Sequence, residues 1–215
     1  MIGADPLGSI LDADLWRFPL EVGANDLESF WLLLSPAERA RADRFRTGPR
    51  ERYVAARGQL RRILSSYLEV SPAALAFGSG PHGKPMLKHG PRFNLSHSAA
   101  LGICAVSPGR EVGVDLEALR PVPEAEAIAE RWMGRDARAA LEADGQDRAV
   151  TFMRLWTRRE AYLKALGIGL ARAERPAEPV ETCRWVVLGL DPAPGFVGAL
   201  ALERLPASEG ARQRR

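Results

Sequence analysis

Apolar and polar residues alternate over residues 11–20, the period of two that marks a half-buried strand with a polar edge. Ser35-Pro36-Ala37-Glu38 then opens a helix, with Ser as N-cap, Pro at the first helical position and Glu at the third, as in a capping box. The helical period continues through Tyr53, Leu60, Ile63, Leu64 and Tyr67, with an interruption at Gly48-Pro49. Ser71-Pro72 predicts a short second helix, and Gly78 to Pro85 is rich in turn formers. Strand signals flank Ser96-His97 between Phe93 and Val106, and another strand runs from Val112 to Leu116.

The second half starts with a charged, alanine-rich stretch over 120–150. It predicts a loop at Pro121 and Pro123, then one or two helices anchored by Trp132, Met133 and Leu141. A long helix follows from Ala149 to Leu166 and stops at Gly167-Ile168-Gly169. Arg184 to Leu190 and Gly195 to Leu202 read as two strands of a hairpin around Asp191-Pro192-Ala193-Pro194-Gly195. The tail after Pro206 is polar and Arg-rich, and is expected to fray. Each half thus carries a long helix followed by strands, an α+β chain.

Composition bounds the answer without deciding it. At 215 residues the chain can form one large domain or two small ones. Its 46% hydrophobic and 27% charged residues are ordinary for a globular protein. No run of about 18 apolar residues is present, so no membrane-spanning helix is expected. The acidic start MIGADPLGSILDADLW lacks the features of a secretory signal, which points to the cytoplasm. Cys104 and Cys183 stand too far apart for a metal-ligand pair and read as free buried thiols. A pI near 9.2 with a net charge of +3 suits an acidic partner. No basic run interleaved with aromatics favours nucleic acid. Lysines occur only at positions 84, 88 and 164, in a chain otherwise basic through Arg.

The candidate chemistry lies in Gly113-Val114-Asp115-Leu116-Glu117 and Trp156-Thr157-Arg158-Arg159-Glu160-Ala161-Tyr162-Leu163-Lys164. On a strand, Asp115 and Glu117 share a side. On a helix, Glu160 and Lys164 share a face. Converging carboxylates repel one another unless a cation lies between them, and Mg²⁺ binds through few carboxylates plus substrate oxygens. These residues therefore suit metal-assisted phosphoryl-type transfer. A solvent-facing Asp-x-Glu pair and an amphipathic helix with an i,i+4 Glu–Lys pair are the simpler alternatives. Neighbouring residues on a strand face opposite ways, which makes Ser96 and His97 a poor nucleophile–base pair. Phosphate binding by hydroxyl, imidazole and Lys84 is the better chemical fit.

In order along the chain, Gly83-Lys84-Pro85, Phe93-Asn94-Leu95-Ser96-His97-Ser98, Gly113-Val114-Asp115-Leu116-Glu117 and Trp156-x-x-Arg159-Glu160-Ala161-x-x-x-Lys164-x-x-Gly167 resemble the 4′-phosphopantetheinyl transferases of the Sfp type. The resemblance covers roughly residues 35 to 202. It implies two similar α/β halves related by a pseudo-twofold, residues 1–108 and 109–205, with coenzyme A between them; the polar composition of 206–215 marks a disordered tail. By the same resemblance Asp115, Glu117 and Glu160 bind Mg²⁺ (or Mn²⁺) with the coenzyme A pyrophosphate. Glu160 is also the base for an incoming serine, and Lys164 meets charge on the leaving group. Lys84, Ser96 and His97 grip coenzyme A phosphates, His97 and Arg41 at the 3′-phosphate. Two positions depart from the family pattern: Arg159 stands where a Lys is usual and keeps the positive charge for a coenzyme A phosphate contact, and Glu38 replaces a basic residue.

The implied activity is transfer of phosphopantetheine to a serine of an acidic acyl or peptidyl carrier protein, by a monomer. A metal-dependent nucleotide pyrophosphohydrolase and an inactive coenzyme A-binding module stay open beside it. Residues 121–145, with Trp132 and Met133 among Arg131, Arg135 and Arg138, are a candidate docking surface for the carrier.

Overall fold

The computed structural model describes residues 3–80, 83–144, 147–168 and 184–205. The chain starts with two antiparallel strands, β1 (Asp5–Ile10) and β2 (Ala13–Pro19). Helices α1 (Ala24–Leu33), α2 (Pro36–Ala42) and α3 (Thr47–Ser65) follow, then a 3₁₀ turn at Pro72–Ala74. A short hairpin of β3 (Phe77–Ser79) and β4 (Pro85–Leu87) leads into β5 (Arg92–Ser98) and β6 (Leu101–Ser107). The second half has β7 (Val112–Ala118), α4 (Ala125–Met133), α5 (Arg135–Ala143), α6 (Arg148–Leu166), β8 (Trp185–Leu190) and β9 (Phe196–Glu203). The class is α+β, as the sequence predicts.

Two antiparallel sheets carry the fold, one in the order β1-β2-β6-β5 and one in the order β7-β9-β8. The first sheet packs one face on α1 and α3 through Phe18, Phe30, Leu60, Leu64 and Phe93. Its other face joins the second sheet through Leu15, Ile103, Val112, Val114, Leu116 and Leu200. Behind the second sheet lies α6. One side of it meets the strands through Ala161, Ala165, Trp185 and Ala199. The other side covers α4 and α5 through Phe152, Met153 and Leu141.

Several local expectations are met. Ser35 caps α2 in a capping box: its hydroxyl accepts from the Glu38 N–H at 3.3 Å, and its own N–H donates to Glu38 Oε2 at 2.9 Å. Gly167 ends α6 in the left-handed region at φ 71°, where a side chain would be strained. The Ile168 N–H closes back on Leu163 O at 2.9 Å, which satisfies a carbonyl at the helix end.

Other expectations shift. β1 and α1 carry no clean period and were not anticipated. The break before α3 falls at residues 43–46, and Gly48-Pro49 lies in the first turn of α3, where Pro forfeits no helical bond. The helix at Ser71-Pro72 is a single 3₁₀ turn. Ser96-His97 sits inside β5 rather than between two strands, and the chain turns at Ala99-Ala100 instead. Cys104 is free and fully buried. Cys183 and the 206–215 tail lie outside the described residues.

Candidate active site

The site forms where the edge strands of the two sheets meet, β5 from the first and β7 from the second. On β7 the even residues Val112, Val114 and Leu116 enter the shared core. The odd residues Gly113, Asp115 and Glu117 therefore face α6. Gly113 admits the helix: a Cβ there would stand 2.0 Å from Ala161 O and 2.4 Å from Ala165 N. That close approach brings Lys164 onto the strand. Lys164 Nζ donates to Asp115 Oδ1 at 2.6 Å and to Ser96 Oγ at 2.9 Å. Ser96 Oγ in turn donates to Asp115 Oδ1 at 2.9 Å. The helix spacing that puts Glu160 beside Lys164 thus serves a tertiary contact with Asp115.

The electrostatics are unbalanced. Asp115 is buried, at 4% exposure, and its Oδ2 has no hydrogen-bond partner among the described residues. Glu160 Oε1 is likewise buried and unpartnered. Burial, and then the Asp115 charge, push the Glu160 carboxyl up to about 7, against the opposing pull of Lys164 and Arg159. Burial also raises Glu117, and the Asp115 charge adds to this while a bond from Ser98 opposes it. Arg159 is 1% exposed, and its Nε and Nη2 have no partner among the described residues. Its burial lowers the guanidinium pKa, and the Glu160 charge works the other way.

The remaining candidates are spread around this centre. His97 points to the opposite side of β5 from Ser96 and keeps an open face to solvent. Partial dehydration by the surrounding protein lowers its pKa, and the positive charges of Lys164 and Arg52 lower it further. Arg41 lies in the last turn of α2, exposed, with its guanidinium 5.8 Å from the Tyr53 ring centroid. Lys84 stands apart from the carboxylates. Its Nζ donates to Val112 O at 2.9 Å and to Glu111 at 3.3 Å, at the start of β7. A cavity of about 410 Å³ opens there, lined by Lys84, Arg92, Glu111, Phe93, Gly167 and Trp185. It touches none of Asp115, Glu117, Glu160 or Lys164. Glu38 is paired with Arg57 and Arg61.

Among the described residues, no group of three or more His, Cys, Asp or Glu side chains is disposed to enclose a metal ion. The donor chemistry still suits a hard cation. Asp115 Oδ2 and Glu160 Oε1 are buried oxygens without a proton donor among the described residues, and the repulsion between the carboxylates is what a cation relieves.

The comparisons agree with this geometry. Residues 111–188, which hold β7 and α6, match the family model of the 4′-phosphopantetheinyl transferase superfamily. The chain is 38% identical over 207 residues to the 4′-phosphopantetheinyl transferase HetI of Nostoc sp., covering 89% of this chain and 87% of the relative. The chain belongs to the 4′-phosphopantetheinyl transferase superfamily. It is also 31% identical over 112 residues to the transferase gsp of Aneurinibacillus migulanus, covering 52% of this chain and 46% of the relative. Identity to the transferase Sfp of Bacillus subtilis is 28% over 148 residues, covering 67% of this chain and 65% of the relative. No described helix is long and apolar enough to cross a membrane.

Sequence reasoning missed Gly113 as the residue that admits α6, and it gave Asn94 and Ser98 no role. The alternation of Asn94, Ser96 and Ser98 on one face of β5 was the available signal.

Proposed function

We propose that this protein transfers the 4′-phosphopantetheine arm of coenzyme A to a serine hydroxyl of an acidic acyl or peptidyl carrier protein. The observation that carries the reading is the pair of buried, unpartnered oxygens on Asp115 and Glu160 beside the Lys164 ammonium. Asp115, Glu117 and Glu160 would hold Mg²⁺ or Mn²⁺. The ion would neutralise the coenzyme A pyrophosphate and make the bisphosphate a better leaving group.

The protein's own groups do the rest. The serine Oγ bonds to the phosphorus that carries the pantetheine arm, the bond from that phosphorus to the bridging oxygen breaks, and adenosine 3′,5′-bisphosphate leaves. Glu160 accepts the serine proton. In the metal-free protein, burial and the Asp115 charge raise its carboxyl above the ordinary range, and a bound cation would hold it ionised and ready to accept a proton. Lys164 meets the charge that develops on the leaving oxygen. Arg159, whose Nε and Nη2 have no partner among the described residues, supplies positive charge for a coenzyme A phosphate. Ser96, His97, Lys84 and Arg41 grip coenzyme A phosphates, with His97 and Arg41 at the 3′-phosphate. For Lys84 this requires exchange of its bond to Glu111.

In this reading, residues 1–108 form the adenine and 3′-phosphate side and residues 109–205 the metal and catalytic side, related by a pseudo-twofold. A cytoplasmic monomer completes the site within one chain. Incubation with coenzyme A, Mg²⁺ and an apo carrier protein, followed by intact-mass measurement, tests it. A phosphopantetheine adduct on the carrier is the expected result. Coenzyme A hydrolysis that ignores the carrier would instead identify a pyrophosphohydrolase, and binding without turnover an inactive module.

A further inference from the structure

The seam between β5 and β7 is held by side chains. In the described residues the two sheets are separate ladders, and the polar face of β5 spans the gap between them. Asn94 Oδ1 accepts the Val114 N–H at 2.8 Å. Ser96 Oγ donates to Asp115 at 2.9 Å. Ser98 Oγ donates to Glu117 Oε2 at 2.9 Å and accepts the Ala118 N–H at 3.1 Å. The two strands therefore run in one register, in which Ser-x-Ser on β5 faces Asp-x-Glu on β7. Asn94 and Ser96 are buried at 7% and 5% exposure, although both are polar and the opposite face of β5 enters the core. Buried polar groups are kept where their bonds are made, and here Asn94 and Ser96 both bond to β7, with Lys164 of α6 also donating to Ser96.

We infer that Ser98 is a positioning residue: it orients the Glu117 carboxylate for the metal, and Asn94 pins the register in which it does so. The hydroxyl chemistry suits the task. A serine has one O–H donor and two acceptor lone pairs. Ser98 spends its proton on Glu117 and is itself fixed by a backbone N–H, so the carboxylate is tied to the strand and not to a mobile side chain. Ser96 repeats the arrangement one pleat earlier, with Lys164 in place of the N–H donor. Partners that orient ligating carboxylates in this way set the affinity of the site for its ion.

This inference rests on the proposed transfer reaction and on Glu117 as a ligand. Its test compares the full-length wild type, Ser98→Ala and Ser98→Thr in two measurements. The first is the Mg²⁺ concentration that half-saturates the rise in melting temperature in the presence of coenzyme A. The second is the Mg²⁺ dependence of transfer to apo carrier. Ser98→Ala is expected to raise the half-saturating Mg²⁺ by about ten- to a hundredfold in both, with turnover recovering as Mg²⁺ is added. Ser98→Thr keeps the hydroxyl and is expected to restore the wild-type midpoint. An unchanged midpoint in Ser98→Ala overturns the inference while leaving the transfer reaction intact. So does a lowered melting temperature with lost turnover that Mg²⁺ does not recover, which would mark Ser98 as a folding residue. A wild type that shows neither a Mg²⁺-dependent melting shift nor transfer would overturn the transferase reading and this inference together.

Discussion

Two buried ionic clusters among the described residues are built on opposite terms. In the first half, Glu38 accepts from Arg57 Nε at 2.6 Å, from Arg61 Nε and Nη2 at 2.8 and 2.6 Å, and from the Ser35 N–H at 2.9 Å. Arg61 Nη1 in turn donates to Pro72 O at 2.8 Å and Leu75 O at 3.0 Å. Burial alone would raise the Glu38 pKa, but the Arg57 charge and these hydrogen bonds outweigh it and hold the carboxyl below its usual range. At the β5–β7 seam the balance tips the other way. Asp115, Glu160 and Arg159 all keep buried atoms without partners among the described residues, and Glu160 is pushed up to about 7. A buried charge with every bond made is a strut. A buried charge left unsatisfied stores an interaction for something that arrives later.

The largest expected effect tests the unsatisfied cluster. Asp115→Ala is expected to lower transfer by more than about a hundredfold at saturating Mg²⁺, since a lost ligand costs several kcal/mol of transition-state charge stabilisation. Circular dichroism should report a retained fold. Turnover within about tenfold of wild type would remove Asp115 from the metal set. The counterpart in the satisfied cluster is Glu38→Ala, which leaves two guanidinium groups buried without their carboxylate. Removing one partner of a buried pair costs about 3–5 kcal/mol, so denaturant melts should show a large loss of stability. A loss below about 1 kcal/mol would mean that water takes over the role of Glu38.

At the third level, His97→Ala is expected to weaken coenzyme A about ten- to a hundredfold more than 3′-dephospho-coenzyme A, the worth of a bond to a charged group of roughly 1.5–3 kcal/mol. Equal weakening of both ligands would place His97 away from the 3′-phosphate.

The two clusters should also separate by pH. The folded pKa of Glu160 lies above its ordinary 4.5, so the fold favours the neutral carboxyl. Stability of the metal-free protein is therefore present below 4.5 and lost as pH rises towards about 7, by roughly 1–3 kcal/mol. Glu38 is lowered, so its contribution is present above 4.5 and lost as pH falls below that value. Melting temperatures measured from pH 3 to 8 in wild type and Glu160→Gln check both signs. A wild type and a variant with parallel profiles between pH 5 and 8 would refute the assignment of Glu160.

The smallest effect concerns carrier docking over residues 121–145. Arg138 is tied to Glu130 at 2.6 Å and to Glu142 at 2.7 Å, which cancels much of the charge it would offer. The double change Arg135→Glu with Arg138→Glu is expected to raise the carrier KM by a factor of only about three to ten, shrinking with salt, and to leave coenzyme A binding unchanged. A carrier KM that does not move would send the partner to another face.

Much of this was legible in the sequence, and the reasons are local. Capping chemistry in Ser35-Pro36-Ala37-Glu38, the stop at Gly167 and the period of two in Asp115-x-Glu117 act over a few residues, where neighbours along the chain are neighbours in space. They determined α2, the end of α6, and which carboxylates share a side. The four ordered motifs likewise sufficed to identify the family. Tertiary structure alone decided the rest. That Lys164 reaches Asp115 across 49 residues depends on Gly113 admitting α6. That Glu38 is a strut depends on Arg57 and Arg61 arriving from α3. Whether a buried charge is satisfied is set by residues distant in sequence, and no local pattern encodes that.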